Sequence, residues 1–198
     1  MGNLLRKHGE LYKTLTDDIL SQCRTTTGFD DDEIRNHHQK FFAVADDGRL
    51  KKSEMEELLG DYLPSTKRKH SKYLTACVFS AIDANNDGFI DFLEYLTSVK
   101  FFQTESPIEK ADFVFRIIDK NNDNQVTKKE LERILQCLQE YHKSSSDIQV
   151  TEMISDGPKP AAHAIIERLD EDKSGLIGVS EFVDGWLKDE TIRALFNF

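Results

Sequence analysis

The chain has 198 residues, with 26 Lys and Arg against 36 Asp and Glu, for a formal net charge of −10. That balance argues against nucleic acid as a partner, because nothing in it offsets repulsion from the phosphates. Hydrophobic residues are 38% of the chain and include 13 Phe, enough to core one domain or two small lobes, and there is no apolar run of the roughly 18 residues a bilayer span needs.

The first eight residues, Met1-Gly2-Asn3-Leu4-Leu5-Arg6-Lys7-His8, are too short and too polar for a secretory signal. Leu4, Leu5, Leu11, Leu15, Ile19 and Leu20 recur at helix-like spacing, which predicts an extra helix ahead of everything that follows.

Four windows further along share one loop grammar of about twelve residues. Oxygen-bearing side chains stand at the first, third, fifth and ninth positions, Gly at the sixth, an apolar residue at the eighth and Glu at the twelfth. A hard cation such as Ca2+ takes about seven oxygens, and this spacing presents them from one turning segment, the EF-hand loop. The first window keeps only part of the pattern: Ala43-Val-Ala45-Asp-Asp47-Gly48-Arg49-Leu50-Lys51-Lys-Ser-Glu54. Ala43 and Ala45 offer no oxygen side chain, and Lys51 brings a positive charge to a ligand position. The expectation is a structural hand that binds no calcium.

The second window, Asp83-Ala-Asn85-Asn-Asp87-Gly88-Phe89-Ile90-Asp91-Phe-Leu-Glu94, fits throughout. Asp83, Asn85, Asp87 and Asp91 present side-chain oxygens, the last directly or through water; Phe89 adds its carbonyl and Glu94 closes the shell with both carboxylate oxygens. Gly88 supplies the positive φ that turns the chain around the ion. In the third window Asp119, Asn121, Asp123, Gln125 and Glu130 hold the ligand positions, with Asn124 where Gly is usual; Asn is the other residue that best tolerates left-handed geometry. In the fourth, Asp170, Asp172, Ser174, Leu176 and Glu181 do so, and Gly178 leaves the ninth position to water. Three Ca2+ sites are expected, with room for Mg2+ at rest. Acids at ligand positions number four in the second window and three in each of the next two, ten in all, which matches the net charge. Three bound divalent ions would bring −10 to −4 if no protons leave.

Apolar spacing supplies the flanking helices. Val78, Phe79 and Ile82, then Ala111, Val114, Phe115 and Ile118, then Ala162, Ile165, Ile166 and Leu169 precede the last three windows. Helices carrying Tyr95, Leu96 and Val99, then Leu131, Ile134, Leu135 and Leu138, then Phe182, Val183, Trp186 and Leu187 follow them. Ser106-Pro107-Ile-Glu109 and Thr127-Lys-Lys-Glu130 both read as capping boxes. Hands pair through their eighth residues, here Leu50, Ile90, Val126 and Ile177, all apolar. Pairing in chain order gives an all-α fold: four EF-hands in two lobes, 1–104 and 105–198, with the N-terminal helix added and a short closing helix over Asp189 to Phe196. Loops start at 43, 83, 119 and 170, and the widening from 36 to 51 residues falls in Tyr141 to Pro160, read as a long polar connector.

With these residues in place the chain resembles the neuronal calcium sensor family, the group of recoverin, frequenin and visinin-like proteins. The features that carry the likeness are Met1-Gly2-Asn3, the stretch Thr27-Gly28-Phe29-Asp30 to Glu33, the dead-live-live-live order of hands, the long last interval and the closing helix. The family's inactive first loop usually carries Cys-Pro, where this chain has Ala43-Val-Ala45. The resemblance implies acylation of Gly2, although Arg6 stands where the acylation pattern takes Ser or Thr. It also implies a cytoplasmic regulator that exposes an apolar groove on binding Ca2+, grips an amphipathic helix of a target protein and makes peripheral membrane contact if acylated.

The groove implied would lie in the first lobe, with Phe41, Phe42, Leu58, Leu59, Tyr62, Phe79, Ile82, Phe92, Tyr95, Leu96 and Phe102 as candidates; taken singly each reads first as core, and the set carries the groove reading. The alternative function is a cytosolic calcium buffer of the sarcoplasmic type with little conformational response; a ligand carrier of the photoprotein kind would keep the first hand and lose the second. No catalytic residues, cofactor-binding motif or small-molecule substrate are expected, since GxSxG, a P-loop, HExxH and CxxC are all missing. His37 and His38 are adjacent, point to different helix faces and suit a solvated or capping role. Cys77 and Cys137 fall in helices as packed thiols, while Cys23 stands near an exposed start.

Overall fold

The computed structural model describes residues 10–59, 71–142 and 154–196; Gly2, Arg6, Tyr62 and most of the long connector lie outside them. Helix α1, Asp17–Thr27, starts where Thr16 Oγ1 accepts the Ile19 N–H and stops at Gly28, whose φ of 79° is left-handed. Helix α2, Asp31–Val44, opens on a full capping box: Asp30 Oδ1 accepts the Glu33 N–H and Glu33 Oε2 accepts the Asp30 N–H, both at 2.9 Å. The remaining helices bracket the loops: α3 Met55–Leu59, α4 Ser71–Ile82, α5 Phe92–Gln103, α6 Pro107–Ile118, α7 Lys128–His142, α8 Pro158–Leu169 and α9 Val179–Lys188. Asp189 then caps the short α10, Glu190–Leu195. The described residues are all-α apart from two-residue strands, β1 Gln125–Val126 and β2 Ile177–Gly178.

Those strands pair antiparallel, Gln125 with Gly178 and Val126 with Ile177, and so join hands three and four. Hands one and two are joined by a bridge between Leu50 and Ile90. All four eighth-position residues have no exposed surface, so each apolar side chain anchors its loop pair to a core while the backbone bonds are satisfied between loops.

The chain divides into two compact units, Met1–Leu63 with Ile82–Gln103 and Pro64–Ala81 with Thr104–Phe198. In the first, α1 packs on α2 and α5, and α2 also meets α3 and α5, over a core of Cys23, Ile34, Phe41, Leu50, Met55, Ile90, Phe92 and Leu96. In the second, α8 packs on α7 and α9 on α6. There Phe182 sits at the centre of an aromatic row, 5.8 Å from Phe115 and 5.9 Å from Phe196 between ring centroids.

Two sequence expectations are corrected here. Pro158 and Pro160 belong to the first turn of α8 behind Gly157 instead of to the connector, because the first helical positions have no N–H partner to lose. Ser106 does accept the Glu109 N–H, but its own N–H donates to Thr104 Oγ1, and the Thr104 hydroxyl donates to the Glu109 carboxylate. The box there is therefore half formed, whereas Thr127 and Glu130 form both halves.

Candidate metal centres

The three loops expected to work share the bonds that tether their first, third and fifth side chains. The first carboxylate of each takes two backbone N–H groups from the turn opposite it. Asp83 accepts from Asp87 at 3.1 Å and Gly88 at 2.9 Å; Asp119 from Asp123 at 3.2 Å and Asn124 at 2.8 Å; Asp170 from Ser174 at 3.0 Å and Gly175 at 2.8 Å. The third side chain accepts the N–H of the fifth residue: Asn85 from Asp87, Asn121 from Asp123, Asp172 from Ser174. The fifth side chain in turn accepts the N–H of the seventh: Asp87 from Phe89, Asp123 from Gln125, Ser174 from Leu176. Each bond tethers an oxygen-bearing side chain to the inside of the turn.

Backbone geometry makes this possible. The sixth residues Gly88, Asn124 and Gly175 have φ of 85°, 62° and 82°. The fourth residues are left-handed as well, Asn86 and Asn122 at 55° and Lys173 at 60°. Asn at the first two suits that region, a signal the reading of the ligand positions alone passes over.

The closing glutamates sit in the first turn of α5, α7 and α9. Glu94 Oε2 accepts the Asp91 N–H, and its Oε1 turns back across the loop to the N–H groups of Ala84 and Asn85. Glu181 repeats this with Gly178, Glu171 and Asp172. Asp170, Asp172 and Glu181 each bring an oxygen within 4.8 Å of the other two. Carboxylates held this close suit a hard divalent cation, which would relieve their repulsion. Burial pushes the Glu94 carboxyl up to about 7; Asp91 and Asp83 add to the rise, and N–H bonds from Asp91 and Asn85 oppose it. Burial likewise raises Asp83 and Asp119, while the Ser174 hydroxyl and N–H hold the exposed Asp172 down. The residues present fit Ca2+ in all three loops.

The first window has the same shell without the charge inside. Gly48 has φ of 75°, Asp47 Oδ1 accepts the Arg49 N–H and Glu54 Oε2 accepts the Lys51 N–H. Its other oxygen, Oε1, meets the Lys51 ammonium at 3.0 Å.

Of the groove candidates, Phe41, Phe79, Ile82, Phe92, Tyr95 and Leu96 are buried, Phe42, Leu58 and Phe102 are half-buried, and the Leu59 side chain is not among those described. The histidines differ from expectation. His37 Nδ1 lies 3.0 Å from the Tyr95 hydroxyl and its ring stacks on Phe29; His38 Nε2 lies 2.7 Å from the Tyr12 carbonyl, with its ring between Phe42 and Phe92. Both are packed into an aromatic cluster instead of solvated. Cys23 is fully buried instead of near an exposed start, and burial with nearby Asp91 raises its thiol, which disfavours the reactive thiolate. None of the three cysteines is in a disulfide.

Fold and loops together define an EF-hand protein. The EF-hand domain pair model matches residues 108–187 and the EF hand model residues 76–100. The chain is similar to the guanylyl cyclase inhibitory protein of Lithobates pipiens, 28% identical over 83% of this chain and 77% of that one. It is also similar to visinin of Gallus gallus, 23% identical over 93% and 94%. Human recoverin is 23% identical over 100% of this chain and 94% of its own. Recoverin, visinin and the guanylyl cyclase inhibitory protein are neuronal calcium sensors, and the chain is similar to each of them over most of its length. No helix among the described residues is long and apolar enough to cross a membrane.

Proposed function

We propose that this protein is a cytoplasmic calcium sensor that regulates a target protein and has no catalytic activity of its own. Asp83, Asn85, Asp87, Phe89, Asp91 and Glu94 would hold one ion, Asp119, Asn121, Asp123, Gln125 and Glu130 a second, and Asp170, Asp172, Ser174, Leu176 and Glu181 a third. Bound there, Ca2+ supplies a divalent charge that about seven oxygens can share. The chain does the rest. Glu94, Glu130 and Glu181 stand in the first turns of α5, α7 and α9, so drawing their carboxylates into a common shell moves those helices. The supporting observation is the shared pattern of first-position carboxylates, each taking the N–H groups of the fifth and sixth residues in all three loops.

Phe41, Phe92, Tyr95 and Leu96 are buried in the first unit, a set of apolar side chains that an opening of its helices would uncover. An amphipathic helix of the target is the partner of matching chemistry for such a surface once exposed. The named target of one relative, guanylyl cyclase, makes a regulated enzyme the first class to test. Lobes 1–104 and 105–198 act as the two calcium-handling halves, the first with one ion and the second with two.

The experiment is a calcium titration in a magnesium background, followed by an apolar-surface dye and by emission of the buried Trp186. A calcium-specific rise in dye binding supports the sensor. Tight binding with no dye response and no Trp186 change sinks it and leaves a buffer.

A further inference from the structure

Arg49 is the seventh residue of the dead loop 43–54, and Phe89 is the seventh residue of loop 83–94. The Leu50–Ile90 bridge, with N–H to carbonyl distances of 2.9 and 3.0 Å, sets these two positions side by side. The Arg49 guanidinium carbon lies 3.5 Å from the centroid of the Phe89 ring. Its Nε is buried with no hydrogen-bond partner, and no ion pair involves Arg49 among the described residues. Asp47, the acid nearest in sequence, accepts the backbone N–H of Arg49. A guanidinium left without an anion and stacked on an aromatic face keeps its full charge at that place.

We propose that Arg49 is an affinity-setting residue for loop 83–94: it holds a fixed positive charge beside Phe89 and weakens the binding of Ca2+ there. The inference rests on the calcium-binding reading of that loop, in which the Phe89 carbonyl is a ligand. Loop 83–94 carries four acids at ligand positions where each of the other two working loops carries three. Arg49 offsets the fourth. The remaining cation at a ligand position of the dead hand, Lys51, is spent on Glu54. The silent hand thereby does more than prop its neighbour: it tunes it by charge.

The test uses the full chain with E130Q and E181Q, so that calorimetry reads loop 83–94 alone. R49M and R49K are compared with Arg49 at about 20 mM and about 1 M KCl, where the screening length falls to about 3 Å. R49M is expected to bind Ca2+ about threefold to tenfold tighter at low salt, with the gain shrinking below about twofold at high salt. R49K, which keeps the charge, is expected to stay within about twofold of Arg49 throughout. If circular dichroism shows R49M to be unfolded, R49Q takes its place. Unchanged or weaker binding by the neutral variant, or a gain that persists at high salt, overturns the proposal and points to packing. No binding in the E130Q E181Q chain overturns the loop assignment along with it.

Discussion

Leu50 and Ile90 exchange two main-chain hydrogen bonds, 2.9 and 3.0 Å long, and neither side chain has any exposed surface. One belongs to a loop with Ala43 and Ala45 at its first and third positions, the other to a loop with Asp83 and Asn85 there. Leu50→Ala should therefore destabilise the calcium-free protein by about 2–5 kcal/mol, the range for a large-to-small change in a closed core. It should also weaken calcium binding at loop 83–94. Denaturant unfolding in a chelator measures the first effect, and a loss under about 1 kcal/mol would show that the first hand does not support the second.

Calcium stoichiometry separates the dead hand from the others. Wild-type protein should bind three ions, and Glu94→Gln, Glu130→Gln and Glu181→Gln should each remove one. Glu54→Gln should remove none, since Lys51 already occupies that carboxylate. Calorimetric stoichiometry decides the matter; a fourth ion in wild type, lost in the Glu54 variant, would contradict the reading of hand one.

Protons compete with the cation at Glu94. Its folded pKa of about 7 lies above the ordinary 4.5, so in the calcium-free protein the ionised carboxylate costs stability. That stability is greatest at low pH and falls as pH rises from about 4.5 through about 7. Calcium affinity runs the other way: binding at loop 83–94 should weaken by up to about tenfold per pH unit below 7. In the chain carrying E130Q and E181Q, an affinity flat between pH 5.5 and 8 would exclude Glu94 as the closing ligand.

Asn124 holds the sixth position of its loop at φ 62°. Asn124→Gly should leave the second unit folded and bind calcium at least as well, whereas Asn124→Val should lose about 1–2 kcal/mol on entering the left-handed region. Equal thermal stability of the two variants in the calcium-free state would mean that the residue relaxes out of that conformation.

The loops were legible because their information is local. A ligand set, a turn residue and a helix cap sit within one short window, and the apolar eighth residues give the pairing of hands as well. What lay hidden depends on segments far apart in the chain. His37 and His38 look like surface residues until Tyr95 and Tyr12 are brought to them. Cys23 sits near the start of the sequence, yet α1 packs it under α2 and α5. Groove and core read alike in sequence, because both are apolar stripes and differ only in what covers them. The Arg49–Phe89 stack was within reach: once the eighth residues are paired, the sevenths are neighbours.

The twelfth residue of every loop serves two masters. Glu54, Glu94, Glu130 and Glu181 each accept the N–H of the ninth residue, which is the start signal of the helix that follows, besides offering oxygens to the loop. The window with Ala43 and Ala45 lacks oxygen side chains at its first and third positions and still keeps this fastening at Glu54. Shedding the last residue would unfasten a helix, and with it the footing of the adjoining hand. Decay of an EF-hand in such a pair is thus polarised, free to erode from the front of the loop and barred at the back.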